Sequence, residues 1–248
     1  MCIRDRRYAP LVRSLPDDVP VVGIRLPGAD ARSDIVESIE GQAEVMLDAL
    51  DSVVESGPYR ILGWSTGGLL AWEMARLLIA RGDEVEGIVL VDTVMAGLRV
   101  DDTGTIKQKY QEMLKSEGVA AVATEGAGRL YERASFALAR RRYRAAREAG
   151  ETPTLDDAER QLGPVIRRAA AEYSPKPQDV PVVYVSASES DNAVTLDLWA
   201  DLHDAKNQSS TFEVIEIDGV HFLPEERCII GPERVGELVE KLEGHLDL

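Results

Sequence analysis

Five short apolar runs punctuate the chain, at residues 19–26, 59–63, 87–91, 180–187 and 211–217. They are rich in Val and Ile and nearly continuous rather than alternating. Strands covered on both faces read that way, because each side of the sheet meets an apolar layer. Between the runs the apolar residues switch to helical spacing. Residues 35–54 place Ile35, Ile39, Ala43, Met46, Leu47 and Leu50 on one face, with Ser38, followed by Ile39-Glu40-Gly41, in the first turn. Residues 67–81 carry Leu69, Leu70, Trp72, Met74, Leu77 and Leu78, and residues 232–246 close the chain with another helix. Strand–helix alternation of this kind predicts an α/β fold: a mostly parallel sheet with helices on both faces.

The rhythm breaks over residues 94–172. No good strand lies there; the composition is helical, rich in Ala and Arg, with expected breaks at Gly118, Gly126, Gly150 and Pro153. The segment reads as a helical insertion between the third and fourth runs. Arg129, Arg133, Arg140, Arg141, Arg142, Arg144 and Arg147 make it locally basic, which fits a solvated helix face balanced by Glu132 and Glu148, or a dock for an acidic partner domain.

Composition narrows the function class. A chain of 248 residues fits one large α/β domain. The net charge of −16 argues against general nucleic-acid binding, which needs a basic face. No apolar run is long enough for a membrane-spanning helix, and Met1 to Arg7 contain no secretory h-region. Cys2 and Cys228 show neither a disulfide framework nor metal spacing, so no metal is expected, and the setting reads as reducing and cytoplasmic.

The sharpest signal is Gly63-Trp64-Ser65-Thr66-Gly67-Gly68. It matches G-x-S-x-G, follows the run 59–63 and opens the helix 67–81, the strand–turn–helix context of a nucleophile elbow. Glycines at 63 and 67 let strand and helix approach closely, and the Thr66 N–H faces the place where an oxyanion would form. A serine hydroxyl needs a base and an acid to orient that base. Of His203, His221 and His245, the first and last look like surface residues. His221, in Asp218-Gly219-Val220-His221-Phe222, follows the last strand and shares the carboxyl edge of the sheet with Ser65. The acid candidates are Asp92, after the run 87–91, and Asp191 or Glu189, after the run 180–187. Trp64 either shapes an acyl pocket or packs under the elbow; Trp72 and Met74 read as core.

The segment from Gly57-Pro58-Tyr59 through Ser65 to Trp72-Glu73-Met74-Ala75-Arg76 resembles the thioesterase domains of non-ribosomal peptide and polyketide synthases, of the α/β-hydrolase superfamily. Residues 20–28, Ser38-Ile39-Glu40 and Gly219-Val220-His221-Phe222 resemble further motifs of that family. The resemblance implies an α/β-hydrolase fold over residues 7–248, with residues 94–172 as a lid. It implies Asp92 as the acid, beside Ser65 and His221, and no cofactor. It also implies acyl transfer from the phosphopantetheine arm of an acyl or peptidyl carrier domain, ending in hydrolysis or ring closure. Family members begin with a strand and a Gly/Pro loop that supplies the second oxyanion donor. No such segment is seen here, so the first strand and that donor are expected to be missing, the chain is expected to be N-terminally truncated, and Met1 to Arg6 read as a non-native leader. The other readings are a generic carboxylesterase-like hydrolase using Asp191, and a catalytically impaired fragment.

Overall fold

Four parallel strands form one sheet: β1 (Tyr59–Trp64), β2 (Val85–Val91), β3 (Val182–Ala187) and β4 (Phe212–Ile217), side by side in that order. This is a computed structural model, and it describes residues 8–95, 118–190, 193–204, 210–221 and 225–246. The helices are α1 (Ala9–Ser14), α2 (Ile39–Asp51), α3 (Thr66–Ala80), α4 (Gly118–Glu148), α5 (Leu155–Glu172), α6 (Ala193–Asp204) and α7 (Val235–Leu246).

The near-continuous apolar runs divide by parity, because successive strand side chains point to opposite faces. Ile88 and Leu90 of β2, with Val182 and Tyr184 of β3, pack against Ile39, Ala43 and Leu47 of α2 and Leu69, Trp72 and Leu78 of α3. Val89 and Val91, with Val183 and Val185, pack against Leu11 of α1 and Leu238, Val239 and Leu242 of α7. All three strand pairings are parallel, so every strand ends at the same edge of the sheet.

Segment 19–26 is not the strand its composition suggests. Residues 20–26 have no regular structure, and Val21 and Val22 are exposed. β1 is hydrogen-bonded to β2 alone, and among the described residues segment 20–26 pairs with no strand. Apolar, β-branched residues suit a strand, but pairing makes one. Helix α2 begins at Ile39 rather than 35, because Ser38 is extended and its Oγ accepts the Gly41 N–H at 3.1 Å, a side-chain N-cap. α7 likewise starts at Val235, after a turn, rather than at 232.

The chain divides into two compact units, one of Met1–Pro27, Val36–Ala96 and Ile166–Leu248, the other of Gly28–Ile35 and Gly97–Val165. In the first, Glu73 is buried on α3, where Arg76 donates to both its oxygens and Tyr173 Oη donates to Oε2 at 2.8 Å. In the second, α4 runs straight through Gly126, so that glycine does not break it; Gly150, at φ +71°, follows its end. Thr154 Oγ1 accepts the Asp157 N–H at 3.1 Å and caps α5. Arg142 Nε donates to Asp157 Oδ1 at 2.9 Å, and Arg147 donates to Asp34. Those arginines are therefore balanced by Asp157 and Asp34, not by Glu148; the side chains of Arg129, Glu132 and Arg133 lie outside the described residues.

Candidate active site

The chain turns from β1 into α3 at Ser65, whose backbone sits at φ +57°, ψ −129°. A non-glycine residue held there costs on the order of 1–3 kcal/mol and persists only if its surroundings enforce it. They do. The Ser65 N–H donates to Val91 O at 2.9 Å, and Ser65 O accepts from Gly68 N at 3.0 Å. A Cβ at Gly63 would strike the Gly67 carbonyl, and one at Gly68 would lie 2.7 Å from Thr93 Cβ. The turn thus requires glycine most at 63 and 68; at Gly67 a Cβ would meet only Tyr8 Oη, at 3.1 Å. Tyr8 Oη also accepts the Trp64 N–H at 3.0 Å, which pins the residue before the serine. Thr66 is the first residue of α3, so its N–H has no acceptor within the helix and lies at the positive end of the helix dipole.

Asp92 follows β2 and His221 follows β4, both at the carboxyl edge that carries Ser65. His221 Nε2 lies 3.0 Å from Ser65 Oγ, and Nδ1 lies 2.6 Å from Asp92 Oδ2. A carboxylate can only accept, so Nδ1 donates and Nε2 is left to accept the serine proton. Asp92 is fully buried at φ +46°, and its Oδ1 faces the Ala187 N–H at 3.4 Å. Ser190 Oγ donates to Oδ2 at 2.8 Å. The next residue, Thr93, is gripped through its carbonyl by Tyr184 Oη at 3.2 Å and Trp199 Nε1 at 2.9 Å. Burial, and secondarily the Asp92 charge, push the Tyr184 hydroxyl well above its ordinary range, so it stays a donor.

The loop bearing His221 is clipped in place. Val220 N–H donates to Arg227 O at 2.8 Å, Ile229 N–H donates to Val220 O at 3.2 Å, and Cys228 Sγ lies 3.4 Å from His221 O. The Trp64 ring packs on the imidazole, centroids 5.3 Å apart and planes tilted 33°. Its observed neighbour is thus the His221 ring.

The remaining candidates go elsewhere. Glu189 pairs with Arg227. Asp191, Phe222 and the His245 side chain lie outside the described residues. His203 is not a surface residue: it is 2% exposed in the last turn of α6, with Nε2 3.0 Å from Ser210 Oγ. Helix α6, with Leu196, Trp199 and His203 on one face, is hidden in sequence by its polar residues. Ser190, Tyr184, Trp199 and Tyr8 carry no sequence motif that would have singled them out. Among the described residues no group of three or more His, Cys, Asp or Glu could hold a metal ion, and no helix is long and apolar enough to cross a membrane.

A family model described as the thioesterase domain matches residues 4–242. The chain belongs to the thioesterase domain family. Curated relatives of this thioesterase domain include a non-reducing polyketide synthase of Pseudevernia furfuracea, 34% identical over 84 residues. Another is the dimodular nonribosomal peptide synthase of Bacillus subtilis, 32% identical over 85 residues. In each case the match covers 34% of this chain and 4% of the relative, so the chain spans only a small part of either synthase. Among solved structures it resembles the RedJ thioesterase of Streptomyces coelicolor, with a TM-score of 0.61 at 22% identity over 96% of this chain and 80% of that one. It also resembles the NocB thioesterase domain in covalent complex with a fluorophosphonate nocardicin G analogue, with a TM-score of 0.60 at 21% identity over 96% and 88%. These likenesses show the fold, that of the α/β-hydrolases, and family membership implies hydrolase activity.

Proposed function

We propose that this thioesterase domain releases an acyl, peptidyl or polyketide chain from the phosphopantetheine arm of a carrier domain, through an acyl-enzyme on Ser65. The observation that carries the reading is His221 bridging Ser65 and the buried Asp92 at hydrogen-bond distance on both sides. His221 Nε2 takes the hydroxyl proton as Ser65 Oγ attacks the thioester carbonyl. The Thr66 N–H faces the developing oxyanion. The carbon–sulfur bond breaks and the leaving thiolate takes the proton back from Nε2, which leaves the chain as an ester on Ser65. Water, or an amine or hydroxyl within the chain, then loses its proton to His221 and attacks that ester; the bond to Ser65 Oγ breaks and Oγ takes the proton back from Nε2. The product is an acid in the first case and a ring in the second. Asp92 fixes the imidazole tautomer and stabilises the imidazolium in both halves. Residues 94–172, between β2 and β3 in the chain, take the role of lid, and the partner is a carrier domain in a cytoplasmic setting.

The test is an acyl N-acetylcysteamine thioester, which mimics the end of the phosphopantetheine arm. Thiol release should be matched by an acyl adduct on Ser65 by intact mass, and both should vanish in Ser65→Ala. Thiol release that persists in Ser65→Ala would sink the reading. Asp92→Asn separates it from an esterase using Asp191, because only the latter would keep its rate.

A further inference from the structure

We propose that Ser190 is a positioning residue for this site: its hydroxyl holds the Asp92 carboxylate in the orientation that meets His221. The inference rests on the nucleophile, base and acid reading above and extends it to a residue outside the triad.

An Asp side chain has a weak torsional preference about its last bond, so hydrogen bonds decide where its oxygens point. At Asp92 the oxygen facing His221 Nδ1 at 2.6 Å also accepts from Ser190 Oγ at 2.8 Å. The other oxygen meets the Ala187 N–H at 3.4 Å. Facing a carboxylate, the Ser190 hydroxyl must be the donor.

Ser190 is itself held by the turn it ends. Ser190 N–H donates to Ala187 O at 3.0 Å. In the same turn Ser188 N–H donates to Ile217 O at 2.9 Å, and Glu189 N–H donates to Gly219 O at 3.0 Å. Ser188 Oγ accepts the Gly219 N–H at 3.1 Å and donates to Asp218 Oδ1 at 3.2 Å. Residues 188–190 therefore grip the acid at one end and, at the other, the backbone two residues before the base. One short turn after β3 holds the distance between Asp92 and His221 from outside the triad. The other charged groups of this loop pair among themselves: Glu189 and Asp218 with Arg227, and Asp218 with Arg234 at 3.0 Å. Tyr184, on the inner side, remains neutral.

Ser190→Ala should act in two ways. The carboxylate loses a fixing bond, so the imidazole is less well placed. It also loses a donor that draws off negative charge, so the imidazolium opposite Asp92 becomes more stable. The experiment follows the rate of Ser65 labelling by a fluorophosphonate, by intact mass, from pH 5 to 9 for the full chain. Ser190→Ala should label about tenfold slower, the scale of one hydrogen bond to a charged group. The pH midpoint of its rate should move upward, because the base holds its proton longer. Ser190→Thr, which keeps the hydroxyl, should restore both, and Ser190→Cys, a weaker donor, should fall between. A structural role alone would lower the melting temperature without moving the midpoint. Labelling of Ser190→Ala at the wild-type rate and midpoint overturns the proposal; if that variant fails to fold, Ser190→Cys with the wild-type midpoint does the same. Absence of labelling in the wild-type chain would instead overturn the triad reading itself.

Discussion

Ser65 keeps its strained backbone because two glycines leave room for it. Gly68→Ala forces a methyl against Thr93, the residue after the acid, and should destabilise the fold by about 1–3 kcal/mol, as overpacking does. Gly63→Ala should be worse, since the atoms it meets are backbone. Gly236 in α7 is the contrasting case. A Cβ there meets nothing within 4 Å, so Gly236→Ala, in the first turn of the helix, should be tolerated and stabilise by at most about 0.5 kcal/mol. Urea unfolding of the three variants checks the order. For the acid, Asp92→Asn should cut the rate of thioester cleavage by roughly 10³–10⁴, because the imidazole loses its enforced tautomer.

At the scale of elements, the sequence made β1, the elbow and α3 readable because they are governed by neighbouring residues: an apolar run, a glycine turn, an amphipathic helix. The start of α2 hinged on one cap at Ser38. Segment 19–26 failed as a strand because pairing depends on what lies beside it. Helix α6 is not legible in the sequence because its apolar face is narrow, and the buried place of His203 is hidden with it. Ser65, Asp92 and His221 could be picked out as candidates from motif and strand order, but Ser190, Tyr184 and Trp199 could not, since only the fold brings them to Asp92 and Thr93. The link between α3 and α5 offers a check of the same kind. Tyr173→Phe removes a donor from the buried Glu73 and should cost about 1–3 kcal/mol in a denaturant titration.

For the whole molecule, acid is the informative stress in a chain of net charge −16. The Arg142 hydrogen bonds hold the Asp157 carboxyl below its ordinary range. A depressed folded value means the contribution is present above the unfolded value of about 3.9 and is lost as pH falls through the folded one. The stability gap between wild type and Asp157→Asn should therefore be flat from about pH 5 to 8 and close below about pH 4. A gap that widens on acidification would reverse that sign. The central claim, that Ser65 is a nucleophile armed by His221, is tested most directly by fluorophosphonate labelling with the modified residue located by mass spectrometry. The account predicts one adduct, on Ser65, absent in Ser65→Ala and strongly slowed in His221→Ala. An adduct on another residue, or unchanged labelling without His221, would contradict it.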